Sequence, residues 1–196
     1  MRKILFICHG NICRSPMAEF VMKMLAEEAG LSDEFEIASA ATSREEIFRD
    51  RDGKDVGNPV YPPAKKKLAE HGIECEGKRA RQLTREDYDH YDLLICMDQW
   101  NIQNTRRIVG PDPKHKIRML LDYAGRPGEE VSDPWYTGDF EAAWQDVLAG
   151  CKGLLGELID GGIKPRDVDG TLVKETMKEL GVDLTRQAPG YKTLQD

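Results

Sequence analysis

Four short apolar runs govern what this chain can fold into. KILFIC (Lys3–Cys8), FEIASA (Phe35–Ala40), DLLICM (Asp92–Met97) and KIRMLL (Lys116–Leu121) each have the length of one strand. Helical patterns lie between and after them. Pro16 to about Ala29 reads as a helix with Ser15 as N-cap, Pro16 in the first helical position and Gly30 as the stop. Phe20, Val21, Met24 and Leu25 form its apolar stripe. Further helices are expected over 61–70, 98–107 and 140–159, the last with Trp144, Val147, Leu148, Leu154, Leu155 and Leu158 inward. The segments 43–59 and 125–138 read as polar loop. Strands alternating with helices imply an α/β fold, a parallel sheet covered by helices on both faces. In such folds ligands bind at the carboxyl ends of the strands.

At the end of the first strand stands CHGNICRSP, Cys8 to Pro16. A helix N-terminus offers unpaired N–H groups and a partial positive charge, so it holds phosphate readily. The segment from His9 to Arg14 can curl so that successive amides face inward as an anion nest. Gly10 tolerates unusual dihedrals, and Asn11 tolerates left-handed geometry and can brace the loop. Arg14 supplies a planar fork matched to two phosphate oxygens. Cys8 then lies at the bottom of the cup, where the dipole and the arginine favour thiolate. A thiolate facing a phosphoryl group is a nucleophile, and Ser15 can donate a hydrogen bond that steadies the sulfur as leaving group.

Other chemistries fit less well. The cysteines at 8, 13, 75, 96 and 151 are odd in number and form no CxxC, and the histidines at 9, 71, 90 and 115 form no HxxxH pair, so neither a disulfide framework nor a metal site is expected. The DRDGKD run at 50–55 fails as a calcium loop, because Gly53 is out of register and Tyr61 stands where the closing glutamate belongs. A net charge of −7 argues against general nucleic-acid binding. No apolar stretch is long enough to span a membrane, and the apolar part of MRKILFIC is too short for a signal peptide, which predicts a cytoplasmic protein.

The string C-x-G-N-x-C-R-S-P resembles the signature loop of the low-molecular-weight protein tyrosine phosphatases, and the resemblance extends over residues 1 to about 160. It implies a three-layer α/β sandwich with a four-stranded parallel sheet of order 2-1-3-4. It divides the chain into a phosphatase-like domain, 1–162, and a C-terminal extension, 163–196, in which 171–180 reads as a short helix. It implies Cys8 as nucleophile, Arg14 as phosphate clamp, and the backbone of His9, Gly10, Asn11, Ile12, Cys13 and Arg14 as the cradle. Asp133, in VSDPWYTGD, matches the general acid, which protonates the leaving oxygen and then takes a proton from water. Asp112-Pro113 is the same dipeptide in a plain turn. Trp135 and Tyr136 correspond to aromatics that wall the substrate pocket, and His9 lines its rim. The implied substrates are phosphotyrosine proteins or small aryl phosphates, with no cofactor. Cys13 is either a packing thiol or a redox partner that shelters Cys8.

Three neighbouring readings are weighed against this one. Arginine phosphatases of the same fold carry threonine where this chain has Ile12. Thiol-coupled arsenate reductases need two further relay cysteines; Cys96 stands near the first, but residue 103 is Gln and the next is Cys151. A non-catalytic phosphopeptide-binding module typically loses Cys8, Arg14 or Asp133, and all three are present. One departure from the family is local. Many members place a histidine before the A-R-Q run, where it supports the signature loop. EGKRARQ puts Lys78 near that place, where it either takes over the support or stands in solvent.

Overall fold

The computed structural model describes residues 1–162 together with 175, 178, 179 and 181. The chain runs through β1 (Arg2–Cys8), α1 (Arg14–Glu28), a 3-10 turn (Ser32–Glu34), β2 (Phe35–Ala41), β3 (Ile47–Arg49), β4 (Asp55–Gly57), α2 (Pro62–Glu70), α3 (Glu86–His90), β5 (Leu93–Cys96), α4 (Gln99–Val109), β6 (Ile117–Met119), a second 3-10 turn (Leu120–Ala124), α5 (Pro134–Thr137) and α6 (Phe140–Asp160). The main sheet has the order β2-β1-β5-β6 and every pair in it is parallel. Counting only its own strands, that is the expected order 2-1-3-4.

The continuous apolar character of β1 follows from burial on both faces. Ile4, Phe6 and Cys8 face a core built with α1, α2 and α6, whereas Leu5 and Ile7 face a second core with Tyr88, Ile102 and Val109 from α3 and α4. The alternation is the period of a strand. Three layers result: two sets of helices with the sheet between them. α6 lies close against the second 3-10 turn. A Cβ on Gly153 would sit 1.9 Å from the Tyr123 carbonyl oxygen, and one on Gly150 2.4 Å from Leu120 Cγ, so only glycine permits this approach.

Several local expectations are corrected. Residues 43–59 are not plain loop: β3 and β4 pair antiparallel as a second, two-stranded sheet. Its turn is the DRDGKD run, where Asp50 Oδ1 accepts from the amides of Asp52 and Lys54 and Gly53 takes φ 76°. That turn chemistry converts a charged segment into a hairpin. α3 was not expected, since its five residues are too few for a periodic signal. The loop over 125–138 contains α5, one turn long. α1 begins at Arg14 and its N-cap is Cys13, not Ser15. Proline is tolerated throughout a first helical turn, where amides lack intrahelical partners, so Pro16 did not fix the first position. The helix expected over 171–180 lies outside the described residues, save for isolated positions. Among the described residues no helix is long and apolar enough to cross a membrane.

Candidate active site

β1 and β5 end side by side, with Ile7 in register with Cys96. β1 ends on Cys8, the segment leaving β5 carries Asp98, and the loop before α5 brings Asp133 to the same edge.

The loop between β1 and α1 is fixed through its carbonyls, three held from the segments at 42–43 and 61 and one from the first turn of α1. Those of Cys8, His9, Ile12 and Cys13 accept from the amides of Thr42, Ser43, Tyr61 and Met17 at 2.9–3.0 Å. In a trans peptide the next N–H points opposite to the carbonyl. The amides of His9, Gly10, Cys13 and Arg14 are therefore turned away from those partners. The Asn11 amide lies 3.3 Å from Cys8 Sγ. Asn11 takes the left-handed conformation, φ 57°. Gly10 does not have positive φ, so its tolerance of unusual dihedrals is not used. Its lack of a side chain makes room instead, since a Cβ there would stand 3.1 Å from Glu46 Cγ.

Cys8 Sγ lies 3.0 Å from Ser15 Oγ, with both residues buried. Asn11 Nδ2 donates to Ser15 Oγ (2.9 Å) and Ser39 Oγ (2.8 Å), and Ser39 Oγ donates to Glu19 Oε2 (2.6 Å). Lys78, 13% exposed at its side chain, pairs with Glu19 at 2.7 Å and is not in solvent. Burial pushes the Glu19 carboxyl up, but the Lys78 charge and hydrogen bonds from Lys23, Lys78 and Ser39 outweigh it and leave it below its ordinary 4.5. Lys78 faces one carboxylate but also Lys23 and Arg81, and burial takes its ammonium below the ordinary value.

Arg14 spans two carboxylates. Nη1 donates to Asp98 Oδ2 and Nη2 to Asp133 Oδ2, both at 2.7 Å, with a longer contact of 3.4 Å to the Val131 carbonyl. Burial opposes the guanidinium charge, but Cys8, Asp133 and Asp98 more than offset it and raise its affinity for the proton. Asp133 also caps α5, its Oδ1 accepting from the Trp135 amide at 3.1 Å. Trp135 and Tyr136 are 57% and 85% exposed. Trp135 meets Tyr61 with ring centroids 5.4 Å apart. His9 is exposed and pairs with Glu45 of the segment leading to the hairpin. Cys13 is buried; desolvation first, then the Cys8 and Asp133 charges, push its thiol up to about 12. Ile12 is buried in the first core.

Of the residues expected from sequence, Cys8, Asn11 and Ser15 are joined by hydrogen bonds and Arg14 meets Asp133, while His9 and Tyr136 are exposed and Ile12 and Cys13 are buried. The structure adds Asp98, Tyr61, Ser39 and Glu19. Asp98 had a signal: an aspartate directly after a buried strand, with its Oδ1 2.6 Å from the Asn101 amide as a helix cap. Ser39 and Glu19 had little, because they meet the loop only through the fold. Asp112 is a turn brace, accepting from Tyr88 Oη and the amides of Lys116 and Ile117.

Comparison with known proteins gives a consistent picture. The family model described as low molecular weight phosphotyrosine protein phosphatase matches residues 3–162. The low molecular weight protein-tyrosine-phosphatase YfkJ of Bacillus subtilis is 37% identical over 159 residues, covering 81% of this chain and 96% of that one. The low molecular weight phosphotyrosine protein phosphatase of Rattus norvegicus is 37% identical over 158 residues, covering 79% and 94%. Among solved structures, YfkJ superposes with a TM-score of 0.75 at 36% identity, covering 83% of this chain and 98% of that one. The Drosophila arginine phosphatase does so with a TM-score of 0.69 at 28% identity, covering 81% and 98%. The chain belongs to the low molecular weight phosphotyrosine protein phosphatase family.

Proposed function

We propose that residues 1–162 hydrolyse phosphotyrosine and related aryl phosphate monoesters through a phosphocysteine on Cys8. The observation that carries this reading is the sulfur at the base of the loop, 3.3 Å from the Asn11 amide and 3.0 Å from Ser15 Oγ, beside an arginine that reaches Asp133.

The phosphoryl oxygens occupy the hollow, held by the amides of 9–14. Arg14 exchanges its Asp133 carboxylate for two phosphate oxygens and stays anchored on Asp98. The Cys8 sulfur attacks phosphorus, the P–O ester bond breaks, and its electron pair goes to the leaving phenol oxygen. Protonated Asp133 gives that oxygen its proton. The resulting carboxylate then takes a proton from water, whose oxygen attacks phosphorus. The S–P bond breaks and the electron pair returns to Cys8, which Ser15 stabilises as a thiolate. The products are phenol and phosphate. Trp135 and Tyr136, exposed beside the acid, offer flat faces to an aryl ring. Cys13, next to the loop, forms a reversible disulfide with an oxidised Cys8; a C13S variant that recovers from peroxide as well as wild type refutes this.

Two observations support this reading over its neighbours. Cys96 and Cys151 are fully buried, Cys96 against Thr105 Oγ1 and Cys151 against the Ala18 carbonyl, so neither is placed to relay a disulfide to an outside reductant for arsenate reduction. Ile12 gives the cradle an apolar side chain where arginine phosphatases carry threonine. The test is phosphate release from phosphotyrosine, phosphoserine and phosphoarginine, with Cys8→Ser as control. Turnover of phosphotyrosine that C8S abolishes supports the proposal. Turnover of phosphoarginine alone, or thioredoxin-dependent arsenate turnover alone, overturns it.

A further inference from the structure

We infer that Trp100 and Glu130 form a dock, beside the phosphate loop, for an arginine side chain of the protein substrate a few residues from its phosphotyrosine. The inference rests on the phosphotyrosine reading and adds to it a determinant of which proteins are chosen.

α4 buries Asn101, Ile102, Thr105 and Val109, and Trp100 is left outside that face, 66% exposed. Isolated exposed apolar side chains are ordinary. Here they are gathered. Apart from Met1, the exposed large apolar residues are Phe48, Trp100, Trp135 and Tyr136, and each lies on a segment that follows the carboxyl end of β2, β5 or β6. Trp100 stands two residues beyond Asp98, which caps α4 and accepts from Arg14 at 2.7 Å. The Cα–Cβ bond of a helical residue tilts toward the helix N-terminus, which here is the end at the candidate site. Among the described residues no ring or cation stacks on Trp100.

Glu130 reaches the same place from the loop before α5. Its Oε1 accepts from the Gln99 amide at 3.0 Å, in the first turn of α4 where amides lack intrahelical partners. The Val131 amide donates to the Met97 carbonyl at 2.9 Å. The two segments are thus joined on both sides of Asp98, through Met97 and Gln99. Glu130 is exposed, and among the described residues no cation pairs with it. The neighbouring carboxylates are engaged: Asp98 and Asp133 by Arg14, Glu129 by Arg126.

An open indole face beside an unpaired carboxylate suits one kind of side chain. A guanidinium stacks flat on the indole and pairs with the carboxylate at its edge. An apolar side chain uses the ring alone, an acidic one is repelled by Glu130, and lysine brings the charge without the flat face. An extended peptide advances about 3.3 Å per residue, so a side chain about two to four residues from the phosphotyrosine stands about 7–13 Å along, enough to pass Asp98 and meet the first turn of α4. A small aryl phosphate ends before it. The dock therefore selects among protein substrates without touching the reacting atoms.

The experiment compares wild type, W100A and E130Q on p-nitrophenyl phosphate and on phosphotyrosine peptides. The peptides carry Arg, Leu, Glu or Ala at one position at a time on either side of the phosphotyrosine, in an alanine-serine background. E130Q keeps an acceptor for the Gln99 amide. Wild-type kcat/KM is expected to be about five- to tenfold higher with Arg than with Ala at a position about two to four residues away, and not with Leu or Glu. Added salt should shrink that advantage. W100A and E130Q each remove most of it and leave kcat/KM on p-nitrophenyl phosphate and on the Ala peptide within about twofold of wild type. The inference is overturned if Arg gives no advantage at any position, or if the advantage survives in W100A or in E130Q. It is also overturned if Leu is favoured as strongly as Arg, which makes the dock apolar, or if either variant loses as much on p-nitrophenyl phosphate as on the Arg peptide. Calorimetric binding of the same peptides to C8S and C8S/W100A needs no turnover. A wild type that hydrolyses none of them sinks the phosphatase reading, while the Arg preference in binding still decides this inference.

Discussion

Arg14 and Asp133 form an ion pair of 2.7 Å, Nη2 to Oδ2, at the mouth of the candidate site. The proposed acid and the proposed phosphate clamp therefore neutralise one another until substrate separates them. Asp133→Asn removes the proton source and the charge while keeping an acceptor for the Trp135 amide. We expect kcat on phosphotyrosine to fall about 10²- to 10³-fold, with phosphate inhibition retained. The loss should be smaller on p-nitrophenyl phosphate, whose leaving group needs no proton. A D133N enzyme with wild-type kcat on both substrates refutes the assignment of the acid.

Asp98 holds the other arm of Arg14, with side chains 13% and 5% exposed respectively. Asp98→Asn keeps the helix cap, because asparagine caps as well as aspartate. It removes the charge that aims the guanidinium. KM and the inhibition constant for phosphate are expected to rise about tenfold, with a stability loss of about 1–2 kcal/mol because Asp133 still pairs with Arg14. Steady-state kinetics and urea melts separate the two effects. Unchanged KM leaves Asp98 as a helix cap alone.

The strands and the nucleophile loop were legible in the sequence for a physical reason: both are local. Ile4 to Cys8 are apolar because the strand is buried on both faces, and Cys8, Asn11, Arg14 and Ser15 fall within one turn of chain. Asp133 was reached only through resemblance, since an Asp-Pro pair is indistinguishable by itself from the brace at Asp112. The Glu19–Ser39–Asn11 path was hidden because its members are brought together by packing of α1 on the sheet. The hairpin at 47–57 was missed because its strands of three residues each fall below the length at which alternation registers.

The cysteines should differ sharply toward alkylation. Burial, then the Cys8 charge, push the Cys13 thiol up to about 12, and burial does the same for Cys96. Cys151 is raised further. Burial also raises the Cys75 thiol; since the thiolate is the reacting species, these four stay unreactive from neutral pH into the alkaline range. Mass spectrometry after brief iodoacetamide treatment near pH 7 is expected to find one label, on Cys8. Inorganic phosphate should slow it. Prior or equal labelling of Cys13 contradicts the burial argument.

Glu19 links the site to acid stability. Its carboxyl lies below its ordinary 4.5 in the folded protein. A depressed carboxylate contributes stability that is fully present above the unfolded value and is lost as pH falls through the folded one. Wild type should therefore be more stable than E19Q near neutrality, and the difference should shrink progressively below about pH 4.5. Urea midpoints at a series of pH values test this. A gap that widens toward acid pH reverses the sign and refutes the depressed value.

Gly153 is a more demanding glycine of α6 than Gly150. Alanine is the better helix former, by about 1 kcal/mol in an exposed helix. Here the added methyl would meet the Tyr123 carbonyl oxygen at 1.9 Å and its carbon at 2.5 Å, both backbone atoms that no side-chain rotation can move aside. The helix must lift from the 3-10 turn that follows β6, opening the contact with Leu120 and Leu121 in the core. G153A is thus expected to destabilise the protein by more than about 2 kcal/mol, propensity notwithstanding. A urea midpoint equal to or above that of wild type means that α6 does not lie this close to the turn.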